Sequence, residues 1–284
     1  IHPPCARLYD ERGRIFERAN LVCHCLVLET AEGLALVDTG LGLRYLEKPE
    51  ALGKGVFRFL KAPTDPEETA VGQLRRLGYA PEDVRHILLT HLDLDHAGGL
   101  PDFPKARVHV LEPEYEAAMN PSKKEKGRYV ADMWAHGADW AVHSVAGEPW
   151  YGFPRAQEVL PGVLLVPLIG HTRGHCGVAV SVGSGWLLHC GDAYSDRSEV
   201  KPDGKRKTPL GARLYRRMIP IDYAKNLQRQ AELRKLAREQ GGAVTLFCAA
   251  DPYEFRELSG AAALDRQEAA TVGAFGPGTG GGLA

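Results

Sequence analysis

The sequence predicts an α/β fold, on three observations. Short apolar and β-branched runs bounded by Gly, Pro and Asp recur along the chain, as strands should. Helix-start and helix-stop signals lie between several of them. The 284 residues, 44% of them hydrophobic, suffice for one large α/β domain or two small ones with a sizeable core.

The elements follow in order. Leu21 to Leu28 and Leu34 to Val37 read as a hairpin joined by Glu29-Thr30-Ala31-Glu32-Gly33, and the second strand runs into Asp38-Thr39-Gly40. Asp65-Pro66-Glu67-Glu68 predicts a helix start, with Asp65 as cap, Pro66 at the first helical position and Glu68 completing a capping box. That helix should stop near Gly78. His86 to Thr90 and Arg107 to Leu111 read as strands, and Glu112 to Met119 as a helix. Residues 120–154 show no clean period and predict an inserted helical or loop region over about 113–155. Its Trp134, Trp140, Trp150 and Tyr151 are candidates for lining a cleft, although such residues more often pack in a core or lid. Val163 to Leu168, Gly177 to Val182 and Trp186 to His189 are three further strands. Asp222 caps a helix to Gln240, stopped by Gly241-Gly242, and Ala243 to Cys248 is a last strand. The Gly-rich end, residues 276–284, cannot bury much apolar surface and is expected to be disordered, leaving 1–275 as a single domain.

Charge narrows the function. Lys plus Arg number 35 against 36 Asp plus Glu, a formal net charge of −1, which gives no electrostatic footprint for nucleic acid or an anionic membrane. The basic run from Lys201 to Lys207 reads as a solvated loop. No apolar stretch approaches the ~20 residues of a membrane span, and the first residues lack the pattern of a signal peptide. Six cysteines (Cys5, Cys23, Cys25, Cys176, Cys190, Cys248) are scattered and not at disulfide-framework spacing. The expectation is a reduced, cytoplasmic protein, monomer or homodimer, acting on a small-molecule substrate.

Chemistry concentrates in His91-Leu92-Asp93-Leu94-Asp95-His96, where four of six residues are His or Asp directly after an apolar strand. Such a run brings imidazole nitrogens and carboxylate oxygens into a small volume, which suits Zn, Fe or Mn. Two later segments repeat the arrangement of a ligand at a strand end: His171 after Leu168-Ile169-Gly170, and Asp192 after His189-Cys190-Gly191. Cys23 and Cys25 read as small buried thiols that cannot chelate together with His24, since strand neighbours alternate in direction. His175 and His189 read as supporting residues.

On Asp38-Thr39-Gly40, His91 to His96, Gly170-His171 with Gly174-His175, and Gly191-Asp192, the chain resembles the metallo-β-lactamase-fold hydrolases. The resemblance runs from about Leu21 to Asp251 and looks closest to the lactonase and glyoxalase II side. It implies an αββα sandwich of two mixed β-sheets flanked by helices, with the metals in a cleft at one edge. It also implies one zinc held by His91, Asp93 and His171 and a second held by Asp95 and His96, with Asp192 bridging; Fe or Mn are alternatives. The implied reaction is attack of metal-activated water on the carbonyl of a lactone, ester or thioester. Asp95 would pass a proton to the leaving group. Tyr194, two residues after Asp192, is a candidate to hydrogen-bond the oxyanion, with a structural tyrosine as the alternative. Two positions depart from the pattern. Asp93 stands where the family has a second histidine, which keeps an iron oxidoreductase acting on oxygen or thiols as an alternative. Ala250 stands where a last histidine is expected, leaving Asp251 or Cys248 as substitutes and a degenerate, non-catalytic metal-binding protein as a further alternative.

Overall fold

The structure, a computed structural model, describes residues 3–9, 13–48, 65–201 and 207–260. The Gly-rich end at 276–284 and most of the basic run at 201–207 lie outside the described residues. Among the described residues the strands are β1 (Leu26–Thr30), β2 (Gly33–Val37), β3 (Val84–Leu88), β4 (Arg107–Leu111), β5 (Asp139–His143), β6 (Glu148–Trp150), β7 (Phe153–Leu160), β8 (Val163–Pro167), β9 (Cys176–Val182), β10 (Gly185–His189) and β11 (Val244–Phe247). The α-helices are α1 (Leu43–Glu47), α2 (Ala70–Arg76), α3 (Leu94–Ala97), α4 (Glu112–Met119), α5 (Leu210–Met218), α6 (Tyr223–Gln240) and α7 (Pro252–Leu258).

Two mixed sheets result. One has the order β1-β2-β3-β4-β5, with β1 antiparallel to β2 and the rest parallel. The other has the order β11-β10-β9-β8-β7-β6, antiparallel except where β11 runs parallel to β10. The period of two in each strand sorts its side chains between layers. In β2, Ala35 and Val37 enter the core between the sheets, while Leu34 and Leu36 face the helices. In β9, Cys176, Val178 and Val180 meet that same inter-sheet core, and Ala179 faces the other way. Outside the first sheet, Tyr45 of α1 and Val71 and Leu74 of α2 complete one outer core. Outside the second, Leu233 and Leu236 of α6 complete the other. The layers are therefore helix, sheet, sheet, helix, the sandwich that the resemblance implied.

Several local expectations need correction. The first strand begins at Leu26, because residues 22–24 leave the sheet to run beside Ala249 and Ala250. Asp65 does cap, accepting from Glu67 N, but it caps a single 3-10 turn; Thr69 accepts from Gly72 N and starts α2. Residues 113–155 hold β5 and β6, and their tryptophans pack in the cores. Trp134 and Trp140 pack on the first outer core and Trp150 enters the second. Asp222 caps α6 as expected, through Lys225 N at 3.0 Å. Among the described residues no helix is long and apolar enough to cross a membrane.

Histidines form a row across the first sheet. His86 Nδ1 lies 3.0 Å from His109 Nε2, and His109 Nδ1 lies 3.0 Å from His143 Nε2. Burial, with His143 and His86 adding to it, lowers the His109 imidazole from 6.5 to about 4. With the folded value depressed, the unfolded chain takes up the proton first. The contribution is complete above pH 6.5 and is lost as the pH falls towards about 4. The melting temperature of His109→Gln should therefore fall less steeply than that of the unaltered protein over this window. Identical slopes in thermal denaturation would contradict the assignment.

Candidate metal centre

The centre is assembled from chain segments that leave the sheets at one edge. Asp38, directly after β2, has a left-handed backbone (φ 56°) and is fully buried. Its Oδ1 accepts from Thr90 N and its Oδ2 from Thr90 Oγ1, both at 2.8 Å. The same Oδ2 lies 2.8 Å from His96 Nδ1. One carboxylate thus joins the end of β2 to both ends of the His/Asp run and leaves His96 Nε2 to face the centre, 3.3 Å from Asp192 Oδ1. Burial alone would raise the Asp38 carboxyl, but the charge and hydrogen bond of His96 bring it below its usual range. Burial works against a charged His96; Asp192, Asp95 and Asp38 together outweigh it and hold the imidazole well above its ordinary value.

Glu114, buried on α4, performs a similar task between two other segments. It accepts from Leu92 N (2.9 Å), Gly174 N (3.0 Å) and Thr172 Oγ1 (2.6 Å), fixing the His91 loop against the His171 loop. Gly191 sets the approach of Asp192. Its φ is +52°, and a Cβ there would stand 2.6 Å from His175 Nε2 and 2.9 Å from Thr90 Cβ, so only glycine fits.

These supports bring His91, His171 and Asp192 together, all buried, with one ligating atom from each within 4.8 Å of the others. His91 Nδ1 contacts Thr90 Oγ1 at 2.9 Å, whereas His91 Nε2 is buried and makes no hydrogen bond. An orphaned polar atom of that kind is costly unless something absent from the protein chain satisfies it. Burial, reinforced by His96, lowers His91 to about 4, so the ring is neutral and able to ligate. Burial pushes Asp192 up, but His96, His171 and His91 hold its carboxyl well below its usual value. Two imidazoles and a carboxylate with a further position open are the donor set of a catalytic zinc site. The residues present fit a divalent metal.

The other predicted residues fall around this set. Asp95 is about one-third exposed, with Oδ1 3.9 Å from His96 Nε2. Asp93 Oδ2 lies 3.4 Å from His91 Nε2 and 3.1 Å from His171 Nε2, but both its oxygens are held by Arg128, at 2.6 Å each. Arg128 also places Nη2 2.7 Å from His171 Nε2. His175 and His189 are spent on backbone: His175 bonds Leu168 O and Asp192 N, and His189 bonds His24 O and Gly191 N. Tyr194 does not take the expected oxyanion role. Its ring is buried in the second outer core and its hydroxyl donates to Glu254, 3.1 Å from either oxygen. The tyrosine at the centre is Tyr215 of α5, which donates to Asp192 Oδ2 at 2.6 Å and stacks on His171. Nothing in the local sequence marks Tyr215 or Arg128 as functional. Neither is near a ligand in sequence, and neither lies in a motif.

A profile of the metallo-beta-lactamase superfamily matches residues 18–238. The chain belongs to that superfamily. It is 42% identical over 237 residues to a probable metallo-hydrolase of Mycobacterium bovis, covering 82% of this chain and 75% of that one. It is 34% identical over 159 residues to an N-acyl homoserine lactonase of Bacillus thuringiensis, covering 55% of this chain and 57% of the lactonase. Among solved structures, an N-acyl homoserine lactone hydrolase with N-hexanoyl-L-homoserine at its catalytic metal center superposes with a TM-score of 0.66 at 25% identity, over 90% of this chain and 92% of the other. The chain is a metallo-hydrolase of this superfamily.

The support from Asp38 is directly testable. Carboxylates behind metal-binding histidines typically contribute about 10–100-fold in metal affinity. Asp38→Ala should weaken zinc retention by about that factor in a chelator competition, and it should also lower stability by leaving Thr90 N unsatisfied. Unchanged affinity would show that Asp38 does not orient the centre.

Proposed function

We propose that the protein hydrolyses a lactone, ester or thioester at a zinc centre built on His91, His171 and Asp192. The observation that carries the reading is the buried, unpartnered His91 Nε2 facing a second imidazole and a carboxylate. The likeness to N-acyl homoserine lactonases supports a lactone as the first substrate class to examine. Iron or manganese would suit the same nitrogen and oxygen donors.

The cavity supports a small acyl substrate. A space of about 250 Å³ opens beside Asp95, His96, Asp192 and Tyr215, with Ala19, Leu21, Val22 and Ala212 among its apolar walls. An apolar pocket with a few convergent polar groups is the usual shape of a small-molecule site. Its walls come from the N-terminal segment, from residues 192–215 and from residues 249–256.

A bound divalent ion supplies Lewis acidity, polarising a carbonyl and making water a nucleophile near neutral pH. The protein residues do the rest. Asp95 borders the cavity; burial raises its carboxyl, with Asp192 adding to the rise against the pull of His96. A raised carboxyl suits proton transfer from attacking water to the departing alkoxide or thiolate. Burial and then Asp192 keep the Tyr215 hydroxyl protonated, so it remains a donor that orients the Asp192 carboxylate. Arg128 balances the added charge of Asp93, and the two raise each other's preference for the charged form.

Asp192→Ala should lose both bound metal and turnover across a panel of acyl lactones, esters and thioesters. Asp95→Asn should fold normally and lose about 10²–10⁴-fold in kcat. Full lactone turnover by Asp192→Ala would overturn the reading.

A further inference from the structure

Helix α5 buries only one side. Gly211 and Ala212 are buried, and Tyr215 turns inward to Asp192. The N-terminal segment presses on that side, since a Cβ at Gly211 would stand 2.6 Å from Leu8 O. Leu210, Leu214 and Met218 fall four residues apart and so share the outward side. They are 52%, 46% and 73% exposed, and Ile219 at the end of the helix is 40% exposed. Single apolar residues scattered over a surface need no explanation, but a row along one helix does. The N-terminal segment beside α5 adds to it. Its turn before Glu17, whose O accepts from Ala6 N, carries the exposed side chains of Ile15 and Phe16. Six of the thirteen large apolar side chains exposed among the described residues thus sit on these two segments. Both segments also wall the cavity, through Ala6 and Ala19 and through Ala212 and Tyr215.

The charge beside the apolar row is of one sign. Helix α5 holds Arg213, Arg216 and Arg217 and no acidic residue. Arg216 is paired inward with Glu199 at 3.3 Å. Arg213 and Arg217 are exposed and follow Leu210 and Leu214 by three residues, which puts them on the flank of the row. A two-fold pairing of this face with a second copy would bring both arginine flanks into one interface, with no acid on the helix to answer them. An apolar row with a basic flank instead fits the boundary layer of an anionic bilayer, where the acyl region takes the first and the headgroups the second. The near-neutral net charge of the whole chain conceals this local asymmetry.

We propose that the outward face of α5 docks on an anionic lipid surface, with Leu210, Leu214 and Met218 entering the headgroup boundary and Arg213 and Arg217 on lipid phosphates. The helix lies on the bilayer and does not span it. Because α5 also walls the cavity, docking sets the cavity beside a phase in which acyl compounds concentrate.

Co-sedimentation of the full chain with vesicles of phosphatidylcholine and phosphatidylglycerol, against vesicles of phosphatidylcholine alone, tests this. The expected result is binding to the mixed vesicles that weakens with added salt, and none to the neutral ones. Arg213→Ala and Arg217→Ala should each weaken that binding about fivefold. Leu214→Asp should abolish it while keeping a cooperative melting transition. No binding to mixed vesicles, equal binding to both kinds, or unchanged binding by Leu214→Asp overturns the proposal. So does a dimer, seen by light scattering, that Leu214→Asp converts to monomer, because a second copy then covers the face. Met218 provides a reading on the unaltered protein. Mixed vesicles should slow its oxidation by hydrogen peroxide, followed by mass spectrometry with the buried Met133 as control. Equal oxidation of Met218 with and without vesicles overturns the proposal. None of these readings involves turnover, so their failure leaves the hydrolase reading standing.

Discussion

The buried carboxylate of Asp38 holds Thr90 by both its backbone nitrogen and its hydroxyl, and His96 by its ring. Without that anchor the His/Asp run after β3 would be a loop of polar side chains with no fixed direction. With it, Thr90 can contact the back of His91 while His96 presents Nε2 to Asp192. The desolvation cost of burying Asp38 is offset by the three groups it satisfies, which is the usual condition for a buried charge. Glu114 extends the same logic, since it binds the loops that carry His91 and His171 from behind. The centre is therefore positioned by buried carboxylates outside it.

Charge balance explains the departure at position 93. A carboxylate beside two histidines adds negative charge to a centre that already contains Asp95 and Asp192. Arg128 answers it with two short hydrogen bonds to Asp93 and a contact to His171, so the pair behaves as one neutral, planar wall of the site. His91, His171 and Asp192 are the compact group able to hold a metal, and Asp93 lies beside them in the grip of Arg128. Arg128 comes from residues 120–138, which connect α4 to β5, and this gives that segment a role at the centre.

Much of this architecture is legible in the residues. Strands β2 to β4 and β8 to β11 show because buried β-branched runs end in Gly, Asp or Pro, and His91, His171 and Asp192 show because each follows such a run; β5, β6 and β7 are not legible as strands. What was hidden depends on partners distant in sequence. Tyr194 looked functional because it follows Asp192 by two residues, but Glu254 claims its hydroxyl from α7. Tyr215 reaches Asp192 from a helix whose sequence carries no chemical motif. Residues 22–24 read as the start of a strand, and no local pattern reveals that their partner is Ala249-Ala250. The capping signal at Asp65 was real but bound only one turn, since Thr69 offers a second cap directly after it.

The central claim is that the unpartnered His91 Nε2, His171 and Asp192 surround a metal on which hydrolysis depends. Anomalous diffraction from crystals of the zinc-loaded protein, collected on both sides of the zinc absorption edge, measures this directly. The account predicts an anomalous peak within bonding distance of His91, His171 and Asp192. No peak there in crystals whose dissolved protein hydrolyses lactones at full rate would contradict it.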